Sequence, residues 1–176
     1  PPKVALTAFT IDHDNDIKQL NALAAEAGIG AITGTVTDTS GTFILDSTGT
    51  LLGMTDDDVI TLNFTNTGFT FTDNQVTRLS SMVNATGISS ITGSATISST
   101  RAGSVGAIND TSNKLGLNFT LSEQTDISKS SALIGNTSGT VTFHSDGISN
   151  DIAAYVNADP ATNDVTAISG AFTSIK

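Results

Sequence analysis

The chain has no cysteine and no tryptophan, and histidine occurs only twice among its 176 residues. The lack of cysteine excludes disulfide bonds, a thiolate zinc site and a thiol nucleophile. Two histidines cannot form a three-histidine metal centre within one chain. No apolar run approaches the roughly 20 residues that a membrane-spanning helix needs. The sequence therefore predicts no membrane span.

Basic residues are also scarce. Seven Lys and Arg stand against 17 Asp and Glu, which gives a formal net charge of -10. A strongly acidic chain does not bind nucleic acid by neutralising phosphates, so we expect no nucleic-acid partner.

Threonine and serine dominate the polar residues, with 29 and 20 copies, and Asp outnumbers Glu by 15 to 2. Threonine suits half-exposed strands, whereas Asp suits turns and helix caps rather than helix interiors. With 38% hydrophobic and 14% charged residues, the chain is too apolar for a disordered protein. Few lysines, abundant Ser and Thr and no Cys favour an extracellular, cell-surface or virion location.

An internal repeat is visible at an offset of 59 residues. Residues 14–37 read DNDIKQLNALAAEAGIGAITGTVT, and residues 73–96 read DNQVTRLSSMVNATGISSITGSAT. Nine of these 24 aligned positions are identical without a gap. Each copy predicts an amphipathic helix that ends at a glycine, followed by an alternating strand. The repeats extend over about 14–65 and 73–120, because Leu-Asn-Phe-Thr recurs at 62–65 and 117–120.

Further strands are predicted at 41–45, 50–53, 59–64, 69–71, 115–121, 140–143 and 165–175, with a short helix at 151–157. These elements favour a mainly β fold, a β-sandwich or jelly roll, with two or three short helices and an internal pseudo-duplication. Residues 12–176 are expected to form one β-rich domain, because no linker separates the copies.

Residues 3–11 read KVALTAFTI, which is apolar on both alternating faces. Such a strand is buried on both sides, inside a sandwich or between subunits. Two interpretations stay open for residues 1–11: the first strand of its own domain, or a strand donated to the sheet edge of a neighbouring copy.

Two acidic clusters are candidate metal sites, and calcium is the ion that their oxygen donors favour. Asp12, Asp14 and Asp16 alternate as in the first half of an EF-hand loop, although the glycine and the final glutamate of that loop are absent. The alternative is a set of helix caps. Asp56, Asp57 and Asp58 form the second cluster, for which the alternative is a solvated turn.

No catalytic motif is present: the chain has no G-x-S-x-G elbow, phosphate loop or H-E-x-x-H. We therefore expect a non-enzymatic structural subunit, which assembles with copies of itself into an extracellular filament, tube, surface layer or virion component. Donor-strand exchange and calcium are the expected means of assembly. The alternative function is a surface adhesin or glycan-binding module, against which the scarcity of aromatic residues weighs.

Overall fold

The computed structural model describes residues 3–40, 43–46, 57–65 and 70–144. The strand expected at 50–53, the helix at 151–157 and the strand at 165–175 lie outside these residues, as does part of the strand expected at 69–71.

Six strands alternate with five helices along the described chain. Their bounds, in chain order, are β1 (Val4–Ile11), α1 (Asp14–Ala24), β2 (Ile32–Asp38), α2 (Phe43–Asp46), β3 (Val59–Phe64), α3 (Asp73–Val83), β4 (Ile88–Ile97), α4 (Ser99–Gly106), β5 (Leu115–Leu121), α5 (Ile127–Asn136) and β6 (Val141–Thr142). All neighbouring strands pair in parallel, and their order in the sheet is β1-β2-β3-β4-β5-β6.

The predicted β-sandwich or jelly roll is therefore wrong, because the chain forms a parallel α/β sheet. Parallel neighbours need a crossover connection, and helices supply it here. Two of these helices, α4 and α5, are not indicated by the sequence pattern, because glycine and serine are poor helix formers. Residues 43–46, expected in a strand, form the single turn α2. The expected fold wrongly joined the strands as an antiparallel set through turns.

The helices pack in chain order as one layer against one face of the sheet. Consecutive right-handed crossovers between strands in chain order place every helix on the same side. The buried apolar residues of strands and helices accordingly form one cluster. In β5, for example, Leu115, Leu117, Phe119 and Leu121 are buried, whereas the residues between them are partly or fully exposed. We call the opposite side of the sheet, formed by these alternate residues, the open face.

The two similar segments have the same helix–strand order. Ile17 of α1 and Val76 of α3 are both buried, and so are Ile32 of β2 and Ile91 of β4. The equivalent glycines also share their backbone conformation, with φ at +138° for Gly34 and +115° for Gly93. The division of the chain into residues 1–11 and a repeat-containing domain remains a prediction.

A glycine is required at position 93 because the preceding strand passes directly beneath it. A Cβ atom there would overlap the carbonyl oxygen of Phe64 and lie 2.7 Å from the backbone nitrogen of Phe64. Gly34 is in the same relation to the carbonyl oxygen of Leu6. The Thr-Gly pair of each copy therefore forms a close crossing between neighbouring strands.

None of the helices in the described ranges is long and apolar enough to cross a bilayer.

Candidate functional site

The first acidic cluster lies where β1 ends and α1 begins. The Oδ2 atom of Asp16 accepts hydrogen bonds from the backbone N–H groups of Asp12, at 3.1 Å, and His13, at 3.0 Å. The Nδ1 atom of His13 is hydrogen-bonded to Oδ1 of Asp12. Asp12 and His13 are exposed, and Asp16 is half-buried. This arrangement satisfies amide groups at the start of the helix that have no partner within it.

These contacts shift two pKa values in opposite directions. Hydrogen bonds from the backbone of Asp12 and His13 lower the pKa of the Asp16 carboxyl, with burial acting in the other direction. The hydrogen bond and the negative charge of Asp12 raise the pKa of His13. The cluster is therefore an anion at neutral pH that is already held by amide groups and by a histidine ring.

One donor atom each of Asp12, His13 and Asp16 lies within 4.8 Å of the others. The structure thus brings together two of the three predicted ligands and adds a histidine, whereas the side chain of Asp14 lies outside the described part. Every contact of Asp16 described above is one that a helix cap makes. The arrangement fits capping, and calcium binding at this cluster stays a prediction.

The second acidic cluster separates into residues with different surroundings. Asp57 is exposed. Asp58 is 7% exposed, and its Oδ1 atom accepts a hydrogen bond of 2.6 Å from the backbone N–H of Ile32. Asp56 lies outside the described residues. Asp58 therefore connects the start of β3 to the start of β2, a structural role that the prediction of a solvated turn missed.

Asp38 is the one charged residue within the six described strands, and no sequence motif singled it out. It is fully buried at the end of β2. Its carboxylate accepts hydrogen bonds from the backbone N–H of Ser40, at 3.0 Å, and of Ile44, at 2.9 Å. Its position in the helix-facing alternation of β2 was the available signal. Asp38 holds the loop between β2 and α2 in place.

The open face is the largest continuous feature that the sequence motifs did not indicate. Its side chains are almost all hydroxyl or amide groups, and the register of the strands aligns them across the sheet. The polar members are Thr10, Thr33, Thr35, Thr37, Thr61, Asn63, Ser90, Thr92, Ser94, Thr96, Asn118, Thr120 and Thr142. The apolar members, Ala5 and Val59, lie near the amino-terminal edge, where Val59 is 52% exposed.

A second exposed feature is the outer edge of β1. Among the described residues, β1 pairs with β2 alone. The N–H of Val4 donates to Ala31, and the carbonyl of Ile11 accepts from Thr39, so these residues hydrogen-bond toward β2. In a parallel ladder the bonded residues alternate, so the peptide groups of Ala5 are directed to the free edge.

The apolar side chains of β1 are only partly covered. Val4, Leu6 and Phe9 pack against the core but remain half-buried, whereas Ile11 is fully buried. Ala5, Thr7 and Thr10, on the other face of the strand, are exposed. The expectation that both faces of this strand are buried is therefore not met within a single copy.

Comparison with known proteins adds no assignment: no family model, no curated protein sequence and no solved structure matches this chain.

Proposed function

We propose that this protein is a non-enzymatic structural subunit that assembles with copies of itself through the free edge of β1. The observation that carries the proposal is the combination, on one strand, of outward peptide groups and half-buried apolar side chains. A strand added to this edge gains main-chain hydrogen bonds and covers Val4, Leu6 and Phe9. Natural proteins usually protect such an edge with charges, proline or a covering segment.

The sheet architecture supports growth by stacking. Its strands follow one another in chain order and all run in the same direction. Units of this kind contact chiefly their neighbours, and an edge-to-edge contact between different surfaces that does not close on itself generates a filament. The composition, with abundant Ser and Thr and no Cys, favours an extracellular filament, tube, surface layer or virion component.

A proline at position 5 tests the edge directly. Ala5→Pro removes an outward N–H and leaves the hydrogen bonds to β2 in place, because the neighbouring Val4 makes them. We expect the wild type to form large assemblies in sedimentation and electron microscopy, and Ala5→Pro to remain a folded monomer. Ala5→Val, which keeps the N–H, is the matched control and should assemble. A wild type that stays monomeric at all salt and calcium concentrations would contradict the proposal.

Deletion of residues 1–11 separates two routes of assembly. If the segment is donated to a neighbouring copy, the shortened chain stays folded, fails to assemble and binds a synthetic peptide of residues 1–11. If β1 belongs to its own sheet, the deletion exposes the core around Ile11 and unfolds the monomer. We expect the second result, since Ile11 is fully buried and β1 pairs with β2 along its length.

The alternative function, a surface adhesin or glycan-binding module, would use the open face rather than the β1 edge. The hydroxyl and amide groups of that face favour it as a binding surface.

A further inference from the structure

The open face carries no charged and no aromatic side chain on the six described strands, in a protein whose net charge is -10. The charged residue of these strands, Asp38, lies on the helix-facing side. A charged partner would find no complementary group here. The face therefore suits an uncharged partner that forms hydrogen bonds.

The polar side chains form a two-dimensional array. Thr37, Asn63 and Thr92 are register partners on three neighbouring strands, and Thr96 and Thr120 are register partners on two. Strands lie about 4.8 Å apart, and alternate residues of one strand about 6.6 Å apart. These two repeats are close to those of the prism plane of hexagonal ice. A partner with a matching lattice can contact many of these groups at once.

Several of the hydroxyl groups are held in fixed positions. The Oγ1 atom of Thr61 is 3.0 Å from the Oγ atom of Ser90. The hydroxyl of Thr92 donates to the carbonyl of Leu62, at 3.2 Å, and to Oδ1 of Asn63, at 3.3 Å. Threonine is also stiff at χ1, so each methyl group has a fixed place beside its hydroxyl. Little side-chain freedom remains to be lost when a rigid surface binds.

Two other uncharged partners fit less well. A glycan commonly stacks on aromatic rings, and the described open face has none. A second copy, packed face to face, would remove the hydroxyl groups from water without supplying a partner for each of them. Crystalline water offers a donor or acceptor at every lattice point and leaves the methyl groups in its open spaces.

We propose that the open face binds ice, with the threonine hydroxyl groups taking lattice positions of water and the methyl groups lying between them. This inference is independent of assembly through the β1 edge. It predicts that the protein is incorporated into slowly growing ice, whereas an ordinary protein is excluded.

The test measures the share of the protein that enters slowly grown ice, together with inhibition of ice recrystallisation. Thr35 and Thr120 are located on different strands of the open face. Thr35→Tyr and Thr120→Tyr introduce a ring that holds a flat surface away, so we expect loss of incorporation and of inhibition. Thr77→Tyr, at an exposed position of α3, is the matched control and should behave as the wild type.

Thermal unfolding of each variant shows whether the fold is kept, and Thr35→Val provides a second variant that keeps the shape of threonine and removes its hydroxyl. We expect Thr35→Val to weaken incorporation while the unfolding temperature stays close to that of the wild type. Exclusion of the wild type from ice would overturn the proposal. So would incorporation that survives both tyrosine substitutions, or retention on an insoluble neutral polysaccharide without any effect on ice.

Discussion

The carboxylate of Asp58 and the backbone N–H of Ile32 are joined by a buried hydrogen bond of 2.6 Å between β3 and β2. Parallel strands start at the same edge of a sheet, and the first N–H of a strand often lacks a partner there. Asp58 supplies that partner for β2. A residue that the sequence suggested as a calcium ligand thus fixes the start of a strand.

Removal of the Asp58 carboxylate should destabilise the protein. Asp58→Ala leaves the N–H of Ile32 buried without this acceptor, which we expect to cost about 1–3 kcal/mol in the free energy of unfolding. Urea unfolding followed by circular dichroism measures the change. The exposed neighbour provides the control, since Asp57→Ala should change stability by less than about 0.5 kcal/mol. Equal effects of the two substitutions would contradict the role of Asp58.

Two glycine-to-alanine substitutions should have opposite effects. At Gly93, an alanine Cβ would overlap the backbone of Phe64 at a φ of +115°, so Gly93→Ala should strongly destabilise the sheet. At Gly135 in α5, no atom lies within 4 Å of the position of a Cβ. Gly135→Ala should therefore stabilise the protein by about 0.5–1 kcal/mol. Thermal unfolding distinguishes the two, and a tolerated Gly93→Ala would disprove the close crossing.

Asp126, the N-cap residue of α5, should make stability depend on pH. Burial opposes ionisation, but hydrogen bonds from the Lys129 side chain and backbone and from Ser128 outweigh it and lower the pKa of Asp126 to about 2. Because the folded-state pKa is below the ordinary value of 3.8, the stabilisation is present above about pH 4 and is lost as the pH falls toward 2.

Asp126→Asn keeps a good N-cap and removes the charge. We expect it to cost about 1–2 kcal/mol at pH 7, a difference that shrinks to nothing near pH 2. Urea unfolding at a series of pH values gives the profile. A difference between Asp126→Asn and the wild type that is the same at pH 7 and pH 2 would assign the effect to packing instead of charge.

Calcium binding at the start of α1 can be decided by calorimetric titration. If Asp12 and Asp16 hold the ion, calcium binding to the wild type should release or absorb heat, and Asp16→Asn should reduce that signal. The same substitution leaves an amide oxygen that accepts the N–H groups of Asp12 and His13. Equal titrations for the two proteins would assign the cluster to helix capping alone.

Local patterns along the chain predicted most individual elements. The apolar stripe that includes Ile17 and Leu20 indicated α1, and the alternation around Val36 indicated β2. Each depends on neighbours within a few residues, which the sequence displays directly. The repeat at an offset of 59 residues likewise predicted that the two copies share equivalent helices, strands and glycines.

The pairing of the strands was decided by tertiary structure. Parallel and antiparallel strands share the same alternation when one face is polar, so the threonines of β2 and β4 were compatible with a sandwich. Only the crossover helices α4 and α5 remove that ambiguity, and their Gly and Ser content concealed them. The buried contact of Asp58 with Ile32 spans 26 residues, and the alignment of Thr37, Asn63 and Thr92 spans three strands. Such relationships arise from strand register, which no local pattern in the chain contains.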